Sequence, residues 1–309
     1  MRYLVDIMSV MITAIFAVLA LFAGRGEAKT FSEMFPGQRY TDQKIQSFVE
    51  SLDYKEGVNQ LNAGGVQLNI PKGFYYLSGN DARRVVVDAW GNPPASGDNV
   101  LGMILPSGKA PVDDAWAAII TYDEDGYVSD EDAVKINYAD LLKDMQAGVA
   151  SDSGERVKQG FGSIRLVGWA SPPYYDGATH KLHWAKELEF DGSPQHTLNY
   201  DVRALGRKGV LKMNFVAGMP QLAEIRGVIP AVMAMPEFVV GSRYEDYVPG
   251  TDKVAAYGLG ALIAGKLASK AGLMVIALAF LKKGWIVIVL VLAGLWKVIA
   301  RFFQGKPQA

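Results

Sequence analysis

Apolar and polar residues alternate over much of this chain, and the period-two pattern dominates its middle third. "VQLNI" puts Val66, Leu68 and Ile70 on one side of a strand. "LGMIL" (101–105) and "AWAAIITY" (115–122) are short apolar runs of strand length. Four strand candidates then follow in succession: "SIRLVGW", "KLHWAKELEF", "TLNYDVRAL" and "VLKMNFV". The last two are joined by "GRKG" (206–209), a glycine-bracketed hairpin loop. Consecutive strands with short links predict an antiparallel meander. On a one-face reading, Leu182, Trp184, Leu188, Phe190, Leu198, Tyr200, Val202, Leu211, Met213 and Phe215 share its apolar side. Arg165, Glu187, Glu189, Asp201, Arg203, Lys212 and Asn214 then take the other.

Helical spacing interrupts this pattern three times. Ile45, Phe48, Val49 and Leu52 follow a candidate cap at Thr41. Residues 138–157 carry Leu141, Leu142, Met145 and Val149 on one side, behind a cap at Asn137. A third helix is expected over 221–235, stopped by Pro236. Helices laid on the apolar face of a meander make an α+β body, placed over residues 29–252.

The two ends read differently. An apolar stretch, Ile7 to Ala23, precedes small residues Gly26 and Ala28 at signal-peptidase spacing, so residues 1–28 are expected to be a signal peptide. An uncleaved anchor helix is the alternative. Near the C-terminus, "AGLMVIALAFL" (271–281) and "IVIVLVLAGLW" (286–296) flank Lys282 and Lys283. One helix across both would put two lysines in mid-bilayer. The preferred reading is one transmembrane helix within 282–303, with Trp285 at one interface, Lys297 and Arg301 at the other, and a tail over 304–309. A hairpin of two short spans is its rival. Residues 253–281 are expected to be a glycine-rich, membrane-associated helical segment. Its "GALIAGKL" imitates a nucleotide-binding loop, but Leu267 stands where Ser or Thr would hold magnesium and no strand precedes it. Ala261, Gly265 and Ser269 recur every fourth residue, which suits close helix contact and self-association. Lys266 and Lys270 lie one turn apart, spaced for lipid headgroups.

Composition sharpens this picture. Half of the residues are hydrophobic and none is cysteine, which removes disulfides, thiolate zinc sites and cysteine nucleophiles together. The net charge of −1 hides an asymmetry: from Lys253 onward there are eight basic residues and no acid, leaving residues 1–252 at −9. An acidic body on a basic, apolar tail argues against nucleic acid as partner and fits a domain tethered to membrane lipid.

With these blocks read, the sequence resembles a family of bacterial membrane-anchored proteins described as a domain of unknown function. The resemblance rests on "WGNPP", "LGMILP", "GYVSDEDA", "NYADLLKDM", "LVGWASPPYYD", "HKLHWAKELEF", "TLNYDVRALGRKGVL" and "GSRYEDYVPGTDKVAAYGLGALIAG", in that order. It implies an exported domain with a C-terminal membrane anchor, and supplies no activity and no functional residues.

Candidate chemistry is sparse. "TYDEDGYVSDED" partly fits a calcium loop through Asp123, Asp125, Tyr127, Ser129 and Asp132, with Gly126 at the turn. Thr121 at its first position and a preceding strand favour a polar turn followed by a helix cap. His180 and His183, three apart on a strand, face opposite ways and make a poor metal pair. Lys186 falls in the core-facing register between Trp184 and Leu188, where desolvation would suit chemistry; an edge lysine that snorkels out is the plainer reading. "GWASPPYYDG" clusters Trp169, Pro172, Pro173, Tyr174 and Tyr175 in an expected loop, either a recognition surface or a cap on the core. No catalytic residue, metal, cofactor or nucleotide is assigned. The expected function is a membrane-anchored extracytoplasmic interaction module at the bacterial inner membrane, binding lipid or an envelope protein. An envelope hydrolase with an unrecognised site is the alternative.

Overall fold

Residues 28–264 are described by the computed structural model, and within them twelve strands form two antiparallel sheets. The strands are β1 (Ala28–Lys29), β2 (Tyr54–Lys55), β3 (Gly57–Gln60), β4 (Val66–Ile70), β5 (Phe74–Ser78) and β6 (Val100–Pro106), then β7 (Ala117–Asp123), β8 (Ile164–Asp176), β9 (Lys181–Phe190), β10 (Thr197–Leu205), β11 (Val210–Gly218) and β12 (Pro236–Phe238). The large sheet runs β1-β2-β5-β6-β7-β11-β10-β9-β8, and the small one β12-β4-β3. The expected meander is β8 to β11, joined edge to edge. This is the α+β body expected from the pattern. Only Ala28 of the signal-peptide expectation is described; the expected transmembrane helix and the anchor residues Gly265, Lys266, Lys270, Trp285, Lys297 and Arg301 lie outside the described residues. No helix among the described residues is long and apolar enough to cross a membrane.

The one-face reading of the meander is corrected by its register. Trp184 pairs with Asp201 and Ala185 with Tyr200, so the apolar residues of β9 face away from those of β10. Tyr200 pairs with Phe215 and Val202 with Met213, so β10 and β11 do share a face. Side chains alternate strictly, and a shift of one residue moves a whole set across the sheet. The link between β9 and β10 sets that shift by bringing Leu188 opposite Thr197. Both faces are therefore partly apolar and both are covered. On the first, Val66, Leu68 and Ile70 of the small sheet pack with Tyr200, Met213 and Phe215, joined by Ile225 and Val232 of a helix. On the second, two separate clusters form at opposite ends of the sheet.

Six helices supply most of this cover: α1 (Phe31–Met34), α2 (Gln43–Glu50), α3 (Gly79–Arg84), α4 (Tyr138–Lys158), α5 (Leu222–Met233) and α6 (Leu259–Ala264). α2 is capped by Asp42 rather than the expected Thr41: its carboxylate accepts from the backbone N–H of Lys44 and Ile45 at 2.7 and 3.2 Å. α4 starts behind Asn137 as expected, whose side-chain oxygen accepts from Ala139 and Asp140. α5 is shorter than expected and tolerates Pro230; Pro236 ends the region by opening β12. Phe31, Val49 and Val85 gather over β5 and β6, while Met145 of α4 and Leu259, Leu262 and Ile263 of α6 gather over β9. Residues 255–263 are thus partly core of the body, with Ala255 buried as well.

The hairpin at 206–209 closes as expected, with Gly206 N–H on the carbonyl of Gly209 at 2.8 Å. A Cβ on Gly209 would lie 2.0 Å from the carbonyl oxygen of Asp123, so only glycine allows this approach. Arg207 at its tip forks the carboxylate of Asp252 at 2.7 and 2.9 Å, fastening the segment that leads to α6.

Candidate functional sites

Between the two clusters of the second face lies a polar strip. Lys186 of β9, Asn199, Asp201 and Arg203 of β10, and Lys212 and Asn214 of β11 share that face through their cross-strand pairing. Asp201 is its centre and is 3% exposed. Its Oδ1 accepts from Arg203 Nη2 at 2.8 Å and Asn214 Nδ2 at 3.0 Å. Lys186 Nζ stands 2.8 Å from its Oδ2 and pairs with it. Burial opposes the carboxylate, but the charges of Lys186 and Arg203 outweigh it and hold Asp201 down at about 2. Lys212 pairs with Asp123 at 2.9 Å at the strip's far end. Arg203 also lies over the ring of Trp184, 4.9 Å from its centre.

Besides Asp201 Oδ2, which meets only the Lys186 ammonium, three buried side-chain polar atoms among the described residues lack a hydrogen-bond partner: Trp184 Nε1, Asn199 Oδ1 and Arg203 Nε. Asn199, Asp201 and Arg203 belong to this strip, and Trp184 borders it, opposite Asp201. Lys186 lies on the interior strand β9 and meets a buried carboxylate there. The one-face reading puts Asp201 and Arg203 on the side of the meander opposite Trp184 and Leu188, so it does not bring the strip together. The signal that could have found them is their spacing, three polar residues at every second position of β10.

The aromatic candidates fall on a strand, not a loop: β8 continues through residue 176 with three register shifts, between Leu166/Gly168, Trp169/Ser171 and Ser171/Tyr174. They do not form one surface. Trp169 is opposite Lys186 and Tyr175 opposite Leu182, on the face of the polar strip, whereas Tyr174 is opposite His183 and is exposed. Pro173 is buried and Pro172 exposed. Trp169 Nε1 donates to the carbonyl of Tyr138, tying β8 to α4.

The calcium-loop candidates also diverge. Asp123 meets Lys212, Asp125 accepts from the hydroxyl of Tyr257 at 2.6 Å, and Ser129 Oγ accepts from Glu131 N–H. The carbonyl of Tyr127 accepts from Ala255 N–H at 2.8 Å. Asp132 accepts from Leu259 and Gly260 N–H at 2.9 and 3.1 Å, the first amides of α6. The loop is an attachment point for residues 253–264.

Beside it stands a column of four rings: His180 on Tyr244 (centroids 4.1 Å apart), Tyr244 on Tyr127 (4.5 Å) and Tyr127 on Tyr247 (3.9 Å). Tyr175 donates to Asp130 at 2.6 Å and lies 3.2 Å from His180 Nδ1, fixing the imidazole. Burial and the Asp130 charge both push the Tyr175 phenol upward. A third constellation sits at the sheet's end, where His196 Nδ1 meets Glu187 Oε1 at 2.5 Å. Ser193 and Gln195 share the adjoining recess of about 290 Å³, but Ser193 Oγ donates to the carbonyl of Gln195.

A family model described as "Protein of unknown function (DUF2167)" matches residues 53–293. The chain belongs to this family. The matched stretch takes in the polar strip, the ring column and the Glu187–His196 pair of this DUF2167 chain. No curated protein matches it. Two solved structures are similar in part. Cyanobacterial PsbP (CyanoP) from Synechocystis sp. PCC 6803 is 12% identical over 65% of this chain and 91% of its own, with a TM-score of 0.31. The Ran-binding protein Mog1p of Saccharomyces cerevisiae is 10% identical over 64% of this chain and 100% of its own, also at 0.31.

Proposed function

We propose that the protein is a membrane-tethered interaction module whose folded body lies outside the cytoplasm and recognises lipid or an envelope protein. The observation that carries this reading is the way the chain leaves the body. Asp132 holds the first amides of α6, Tyr257 is fastened to Asp125, and Leu259, Leu262 and Ile263 are buried. The acid-free, apolar sequence beyond residue 264 therefore starts from a fixed point, which suits a tether that orients the body. Four exposed valines, Val239, Val240, Val248 and Val254, come from the stretch just before it.

The absence of native cysteine makes the test direct. Single cysteines at Ser32, Gly284 and Gln308 are labelled in intact cells with a membrane-impermeant maleimide. Ser32 should react, and Gln308 should stay protected until lysis. Protection of Ser32 would sink the extracytoplasmic placement; labelling of Gln308 with Gly284 protected would replace the single span by the hairpin. N-terminal sequencing of the mature protein should begin near Lys29.

The hydrolase alternative draws support from one contact, that of Glu187 with His196, which orients an imidazole in the recess that Ser193 also lines. A fluorophosphonate probe distinguishes the readings. Labelling that disappears in Ser193→Ala supports the hydrolase, and failure to label removes it.

A further inference from the structure

The polar strip lies on central strands, yet it reaches solvent where the other face of the same strands does not. Leu198, Tyr200, Val202, Leu211, Met213 and Phe215 are buried, whereas Asn199, Arg203, Lys212 and Asn214 on the strip's side are only half-buried. The unmet groups there are of two kinds and follow one another along β10. Asn199 Oδ1 is an acceptor; one row further on, Trp184 Nε1 and Arg203 Nε are donors, and Trp184 is 1% exposed. The Arg203 head belongs to that row, because it reaches back to Asp201, opposite Trp184, and lies over the Trp184 ring. Successive rows on one face are about 7 Å apart. An N–H and a carboxylate on a single residue bridge that gap through hydrogen bonds of about 3 Å at each end. On the far side of the acceptor, Val216 stands opposite Asn199 and also lines the recess of about 290 Å³, together with Leu105 and Pro111. The order is recess, acceptor, donors. We propose that the strip binds the C-terminal residue of an extended peptide, its N–H on Asn199 and its carboxylate on Trp184 and Arg203, with the preceding residue in the recess. Charge agrees with this occupant. Asp201 is already met by Lys186, Arg203 and Asn214, and Lys212 by Asp123. Three cations against two carboxylates leave the strip one positive charge, which the peptide carboxylate balances. The proposal stands on the strip and not on the membrane reading, since binding in micelles does not depend on which side of a membrane the body occupies.

The test is calorimetric titration of the full-length protein in maltoside micelles at low salt, with N-acetyl-alanyl-alanine as probe. Saturable binding is expected, weakened about tenfold when the probe's carboxylate is capped as the primary amide. The ester analogue, which lacks the last N–H, should bind the parent about fivefold more weakly than the peptide. In Asn199→Leu, peptide and ester should bind alike, because the acceptor that tells them apart is gone. Trp184→Phe keeps a ring and removes the donor, and should weaken the peptide about tenfold. Should either variant fail to fold, the comparison of peptide, amide and ester on the parent decides. A peptide that gives no saturable heat, an amide that binds as tightly as the acid, or an ester that binds the parent as tightly as the peptide overturns the proposal. Acetate binding as tightly as the peptide also overturns it.

Discussion

Lys186 Nζ lies 2.8 Å from Asp201 Oδ2 on the neighbouring strand, one step off the direct cross-strand pairing of Lys186 with Asn199 and of Asp201 with Trp184. The pair is diagonal, and it closes a polar strip between two apolar clusters. Removing Asp201 leaves charge without compensation in a largely desolvated place. Asp201→Asn strands Lys186 and Arg203 together and should cost about 3 kcal/mol. Lys186→Met should cost less, about 1–2 kcal/mol, because Arg203 and Asn214 still hold the carboxylate. Urea unfolding of both variants checks this. A Lys186→Met variant as stable as the parent would restore the plain edge-lysine reading.

Acid should reveal the same centre. The Asp201 carboxyl is held at about 2 against an ordinary 3.8, so the folded state favours the charged form. Its contribution is complete above pH 3.8 and is lost as the pH falls through about 2. The size is about 2 kcal/mol from the shift alone. Other carboxylates titrate nearby, so the informative quantity is the difference between parent and Asp201→Asn. That difference should be constant from pH 7 to pH 5 and shrink between roughly pH 4 and pH 2. A difference independent of pH would mean that Asp201 is not held low.

Much of the body was legible because its signals are local. Asn137 and a 3.6-residue period mark α4, and the glycine-bracketed "GRKG" marks the β10–β11 turn. What was not legible depends on register, which no single strand carries. The apolar residues of β9 look continuous with those of β10 until Leu188 is seen opposite Thr197. That one relation moves Trp184 and Lys186 to the face of Asp201 and Arg203. The β8 extension was hidden for a similar reason. Pro172 and Pro173 argue against a central strand, but β8 is the sheet's edge and is bulged there, where missing N–H groups are tolerated.

Calcium should leave the protein's thermal stability unchanged. Of the candidate ligands, the carboxylates of Asp123, Asp125 and Asp132 are each directed to another part of the chain, and the Tyr127 carbonyl is committed to Ala255. Scans with chelator and with millimolar calcium should give midpoints within about 1 °C, since a ligand raises the midpoint only by binding the folded form. A rise of several degrees would show that the loop opens and coordinates the ion.

The attachment of α6 offers the sharpest test of how the C-terminal segment is held. Asp132 accepts from two amides at the helix start, and Gly258 lies directly against it: a Cβ there would stand 2.5 Å from Asp132 Oδ2. The carboxylate reaches those amides only because residue 258 has no side chain. Asp132→Ala should cost about 1–2 kcal/mol by uncapping the helix. Gly258→Ala should cost a similar amount, because the methyl group displaces the same carboxylate. The double variant is decisive. Once Asp132 is shortened, the methyl group has room and no hydrogen bond to break, so the two losses should fall short of their sum by about 1 kcal/mol. Hydrogen exchange at Leu259 and Gly260 should be equally fast in all three variants, since each loses the same acceptor. Strict additivity in urea unfolding, with slow exchange kept in Gly258→Ala, would show that Asp132 caps α6 independently of its glycine neighbour.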